Sequence, residues 1–165
     1  MPITLAKAGA DRPVVPPPAR ARFAAYARRV LAREGVTRAD VAVVFADDAM
    51  LRSLNARYRG IDRATDVLSF TYADDGPGAR RRGLEGELYL STARLAAQAR
   101  RYRHSPGQEL LRLVTHGLLH LCGHDHVKAG ERRIMRAAEK LVLREEVPAL
   151  TAAAFESVAR AALLP

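Results

Sequence analysis

Tryptophan is absent from this 165-residue chain, cysteine occurs once, and aromatic residues make up only 5% of it. A lone Cys122 leaves no partner for an intrachain disulfide and gives no sign of an oxidising compartment. So few rings argue against a base-stacking platform such as an RNA-recognition sheet. No stretch approaches the roughly 20 apolar residues that span a bilayer. The opening MPITLAKAGADRPVVPPPAR carries an acid and a proline cluster, with no apolar run suited to a signal peptide. A cytoplasmic protein with no membrane partner is the expectation.

Acidic residues are also scarce. Against 18 Asp and Glu stand 27 Lys and Arg, a formal net charge of +9. Most of the excess is arginine, clustered in RARF, YARR, RSLNARYRGIDR, ARRRG and ARRYRH. Arginine forks match phosphate oxygens, and neutralising phosphates releases counterions, so a polyanion such as nucleic acid is the natural partner. The competing reading is a set of arginines that do no more than solvate exposed faces. Hydrophobic residues make up 48% of the chain, enough for one compact domain with its own core.

The apolar periods alternate between two and 3.6. ITLA, DVAVVFA (40–46), DVLSFTY (66–72) and LEGELYLS (84–91) read as strands. Residues 19–34 read as an amphipathic helix ended by Gly35, and Asp47 or Asp48 caps another to about Tyr58. Ser91 or Thr92 caps an arginine-studded helix to about Tyr102. Ser105, Pro106 and Gln108 open the next with a capping box. Residues 128–147 predict a further helix stopped by Pro148, and ADDGPGARRRG predicts a loop. LTAAAFESVARAALL reads either as a last amphipathic helix or as a loose tail. The expected class is α+β: a single domain with a small mixed β-sheet of about four strands, packed with helices. Residues 1–148 would form the working domain and 149–165 a C-terminal extension.

What the chain has in excess, in one place, is histidine. HGLLHLCGHDH, residues 116–126, holds four of its five histidines. On a helix, His116 and His120 lie one above the other, about 6 Å apart, so two ring nitrogens can reach one cation. Gly123 supplies the permissive backbone that ends the helix, and His126 can then approach the same ion from another side. Three imidazoles with an open fourth position suit a catalytic zinc better than a structural one. Cys122 lies about 200° around the helix from His120 and is a core residue rather than a ligand. His104, ahead of the capping serine, belongs at the surface. His124 sits in the turn, either beside the metal or away from it, and Asp125 is either an acceptor for a ligand imidazole or a turn residue. Where HExxH zinc proteases carry a glutamate after the first histidine, this chain has Gly117. That absence, with the positive charge, moves the expected substrate from a peptide towards a phosphodiester.

HGLLHLCGHDH resembles the H-G-x-L-H-L-x-G-Y-D-H signature of the YbeY family of bacterial endoribonucleases and ribosomal-RNA maturation factors. LNARYRGIDRATDVLSF (54–70) is similar to that family's L-N-x-x-Y-R-x-x-D-x-x-T-D-V-L-S-F segment, and GELYLS (86–91) to its G-D-I-x-I-S strand. The three matches fall in order and span roughly residues 40–145. This chain departs in having His124 for tyrosine, Glu87 for aspartate and an extension past Pro148.

The resemblance implies a zinc-dependent, single-strand-specific endoribonuclease that acts in small-subunit ribosomal RNA maturation and ribosome quality control. Its partners would be single-stranded RNA, ribosomal RNA and the small ribosomal subunit. It implies one zinc per chain on His116, His120 and His126, carried by a zincin-like metal helix across the sheet, and a functionally important arginine at Arg59. Arg59 would then hold the scissile phosphate and stabilise charge growing in the transition state. Arg57 and Arg63, with Arg100, Arg101 and Arg103, would guide the RNA backbone without reading its sequence. Thr65, Asp66 and Ser69 would shape the turn and strand beside the site. Two rival classes stand beside this one: a non-catalytic zinc-containing assembly factor, and a metal-dependent hydrolase of another substrate.

Overall fold

Strand alternation builds the centre of the molecule, and local caps place the helices around it. The computed structural model describes residues 1–9, 13–72, 83–124, 132–137, 140 and 148–164. In chain order the elements are β1 (Ile3–Lys7), α1 (Pro17–Arg33), β2 (Arg38–Ala46), α2 (Asp48–Arg59), β3 (Val67–Thr71), β4 (Gly83–Ser91), α3 (Thr92–Tyr102) and α4 (Pro106–Leu121). Residues 132–137 are helical (α5), and α6 spans Ala149–Leu163. The predicted loop at 73–82 and much of the predicted helix 128–147 lie outside the described residues. Among the described residues, no helix is long and apolar enough to cross a membrane.

Three caps fall where short side-chain acceptors precede an apolar period. Asp47 accepts from the Met50 amide at 2.8 Å, and Ser91 from the Arg94 amide at 3.1 Å. Ser105 accepts from the Gln108 amide at 3.1 Å while Gln108 Oε1 accepts from the Ser105 amide at 2.9 Å, a complete capping box. These fixed starts set which face of each helix meets the sheet.

The sheet is mixed, in the order β1-β2-β4-β3. Strands β1, β2 and β4 run parallel, and β3 pairs antiparallel with β4 as an edge strand. One face is dry. Val41, Val43, Leu88 and Leu90 are completely buried there, in one cluster with α1, α4 and α6. The final segment, which the sequence reads as either helix or tail, is a helix within this core: Phe155 is fully buried, its ring 4.7 Å from Phe23 and 5.2 Å from Tyr26. Gly107 makes that contact possible, since a Cβ there would lie 2.5 Å from the Glu156 backbone nitrogen. The other face carries a smaller cluster of Ala46, Leu51 and Leu68, roofed by α2.

Candidate metal centre

Helix α4 reaches the sheet through glycine. A Cβ at Gly117 would stand 2.9 Å from Leu88 Cδ2 and 3.3 Å from Val67 Cγ2. A Cβ at Gly86 would stand 2.7 Å from the Phe70 carbonyl and 3.0 Å from Leu121 Cδ2. Ser69 Oγ donates to the Gly117 carbonyl at 3.4 Å, tying the helix to the edge strand. Position 117 therefore faces the sheet, so a glutamate there would be driven into Leu88 and Val67. The missing protease base has a packing cause.

With Gly117 turned inward, His116 and His120 share a neighbouring face of the last two turns. Both are partly buried, and their ring centroids are 4.6 Å apart at an interplanar angle of 70°. Two imidazoles this close can supply two nitrogens to one cation, and the carbonyl end of a helix favours positive charge. Paired imidazole nitrogens are donors that zinc accepts. Gly123 takes φ 91°, and the Gly123 and His124 amides bond back to the His120 and Leu119 carbonyls at 2.9 and 3.0 Å. The chain turns sharply here, as expected. His126 and Asp125 lie outside the described residues. Among those described, no three His, Cys, Asp or Glu side chains gather in a metal-binding group.

His124 points elsewhere. Its Nε2 lies 2.7 Å from Glu34 Oε2, at the end of α1. Cys122 packs partly buried against the main core. His104 is exposed, with Nδ1 3.4 Å from the buried Glu109 carboxylate.

The end of α2, the α2–β3 connection and α3 line an open polar cavity of about 480 Å³. It brings Arg59 and Arg63 together, adds Arg94, which sequence reasoning missed, and includes Thr65 and Asp66. Gly60, at φ 68°, turns the chain directly after Arg59. Asn55 Nδ2 donates to the Arg63 carbonyl at 2.6 Å and so pins the loop that follows. Asp66 is held in place: its Oδ1 accepts from the Val67 amide at 2.9 Å, and its Oδ2 from Gln98 at 3.1 Å. Gln98 in turn accepts from Arg112 at 3.1 Å, and Arg112 grips buried Glu109 through Nε at 3.0 Å. Because Arg112, His116 and His120 follow one another at helical spacing, this chain of bonds links the histidine face of α4 to the arginine cavity. Only the neighbouring residues of that chain, at Thr65 and Asp66, were legible in a motif.

The remaining predicted arginines divide. Arg57 is exposed, with its guanidinium 5.4 Å from the Tyr58 ring centroid. Arg100, Arg101 and Arg103 are exposed around the end of α3 and do not line the cavity. Arg103 closes that helix at φ 56°.

Glu87 lies away from the histidines. Gly86 and Leu88 face α4, so strand alternation sends Glu87 to the opposite face. There its Oε2 accepts from the Tyr72 hydroxyl at 2.7 Å and the Tyr89 hydroxyl at 3.0 Å. The carboxylate's hydrogen bond, with lesser help from burial, pushes the Tyr72 phenol up to about 12. Burial first, then Glu87, raises the Tyr89 phenol.

The profile of the family described as Endoribonuclease YbeY matches residues 17–146. The chain is 42% identical to Endoribonuclease YbeY of Pelotomaculum thermopropionicum over 120 residues, 71% of this chain and 79% of that protein. It is 40% identical to Endoribonuclease YbeY of Roseiflexus sp. strain RS-1 over 151 residues, 81% of this chain and 90% of that one. Its fold is similar to the solution structure of TM1509 from Thermotoga maritima, with TM-score 0.51 and 23% identity over 86% of this chain and 89% of that one.

Proposed function

Because the chain belongs to the YbeY endoribonuclease family, we propose that it hydrolyses phosphodiester bonds within single-stranded RNA, using one zinc ion held by His116, His120 and His126. The observation that carries this reading is the His116–His120 pair, 4.6 Å apart on a helix pressed against the edge strand by Gly117. Zinc so held supplies Lewis acidity for attack on phosphorus. The chain's own groups do the rest. Arg59, exposed at the end of α2 and displayed by the Gly60 turn, holds the scissile phosphate and stabilises its growing charge. Arg63 and Arg94 in the same cavity hold neighbouring phosphates. Asp66, gripped by Gln98 and the Val67 amide, keeps the cavity wall in register with α4.

The family resemblance extends the proposal to small-subunit ribosomal RNA, in its maturation and in ribosome quality control. A peptide substrate is disfavoured by Gly117, where packing leaves no room for a protease's glutamate. The test is to strip the protein with chelator, restore zinc, and assay both forms on single-stranded RNA and a peptide panel. Cleavage of RNA alone, lost on chelation and regained with zinc, is expected. Metal-dependent peptide cleavage, or RNA binding with no cleavage in either form, would select a rival class.

A further inference from the structure

The chain is poor in aromatic rings but does not spread them evenly. Of its five tyrosines and four phenylalanines, Tyr58, Phe70, Tyr72 and Tyr89 gather on the outer face at the β3 edge. We propose that this cluster is a base-stacking platform for unpaired nucleotides of an RNA strand whose phosphates lie along Arg57, Arg59 and Arg63. The proposal rests on the ribonuclease reading above and adds how unpaired RNA is recognised.

Phe70 and Tyr89 are partly buried against the small outer cluster and prop the two exposed rings. Phe70 meets Tyr58 at 5.1 Å and Tyr89 at 5.9 Å, both edge-to-face, so no ring's face is fully used in stacking on another. Glu87 fixes the hydroxyls of Tyr72 and Tyr89 and has its own charge met by two donors. Yet Tyr58 is 59% exposed and Tyr72 58%. The core does not account for rings so exposed and so firmly propped. Charge selects the occupant: the Arg57 guanidinium sits 5.4 Å from the Tyr58 centroid, and Arg59 begins the arginine cavity one residue on. Base faces on tyrosine with phosphates on arginine is the arrangement that suits a single strand, whereas a duplex keeps its base faces inside.

Register brings the platform near the chemistry. Gly117 packs on Val67 and Leu88, Leu121 packs on Gly86, and Gly86 pairs with Thr71. His120, between Gly117 and Leu121, is therefore level with this end of β3, with the platform on the other side of the same edge strand. A strand bent over that edge can stack on one side and present a phosphate on the other.

The absence of tryptophan makes the test direct, because tyrosine emission is then unobscured. Zinc-loaded protein is mixed by stopped flow with a single-stranded RNA oligonucleotide, with the same strand bearing abasic sites, and with duplex RNA, and KM and kcat are measured on the first. Intact single strands should quench tyrosine emission before cleavage, and the other two much less. Tyr58→Leu combined with Tyr72→Leu should raise KM about five- to a hundred-fold with kcat, zinc content and melting temperature unchanged. An unquenched parent, or an unchanged KM in the variant, would overturn the platform. If the parent cuts no RNA, the ribonuclease reading fails separately, and quenching still decides whether bases stack here.

Discussion

The two faces of the sheet are built to opposite specifications. Towards α1, α4 and α6, side chains are fully buried and helices approach so closely that Gly86, Gly107 and Gly117 have no room for a Cβ. Towards α2, the cluster is small, tyrosines stand half in solvent, and arginines line an open polar cavity. The inner face seats α4 closely on the sheet, with Gly117 against Leu88 and Val67, and so fixes where His116 and His120 stand. The outer face leaves Tyr58, Tyr72 and the arginines of the cavity open to solvent. One edge strand, β3, serves both.

The sharpest break in that comparison should come from Arg59. If it contacts the scissile phosphate in the transition state, Arg59→Ala should fold normally and keep its zinc. Its saturated cleavage rate should fall by about a hundred- to a thousand-fold, roughly 2.7–4 kcal/mol. Arg63→Ala should weaken RNA binding modestly and reduce its salt dependence, with little change in saturated rate. Equal, modest losses in both variants would make Arg59 one more member of a diffuse field.

On the inner face the measured quantity is stability. Gly107→Ala drives a methyl into the Glu156 backbone, which cannot swing aside, and should cost about 1–3 kcal/mol or more in denaturant unfolding. Gly117→Ala meets only the ends of Leu88 and Val67 and should cost less, because those side chains can shift. A reversal of that order would mean that α6 packs less tightly than described.

Much of this was readable from local chemistry. The caps at Asp47, Ser91 and Ser105 depend on residues three apart, so sequence places them well. The histidine pair follows from helical spacing in the same way. What sequence could not give was long-range. His124 meets Glu34, 90 residues away, and α6 finds its partners in α1 and α4. Gln98 joins Arg112 to Asp66 across three elements. Composition gives the number of rings but not their placement, and Tyr58, Phe70, Tyr72 and Tyr89 gather on one face. A signal was present, though. Phe70 on β3 and Tyr72 just past its end, and Glu87 and Tyr89 on the neighbouring strand, are each two apart and so share a face.

The smallest effect should be acid-dependent. Burial raises the Glu156 carboxyl, but bonds from Arg160, the Gly107 amide and Ser105 together outweigh it and hold the carboxyl below its ordinary range. A depressed carboxylate stabilises the fold fully above its unfolded pKa and loses that contribution as pH falls through the folded value. Thermal melting against pH should therefore show the parent losing a small increment in mild acid that Glu156→Gln lacks. Parallel curves for the two would remove Glu156 from the α4–α6 joint.

If α4 presents a metal site, metal content is its most direct measure. Elemental analysis of protein never exposed to chelator should find about one zinc per chain, with most of it lost in His120→Ala. His124→Ala and His104→Ala should keep their zinc, because those rings face Glu34 and Glu109. Parent protein with no bound metal, or His120→Ala with its zinc intact, would contradict the account.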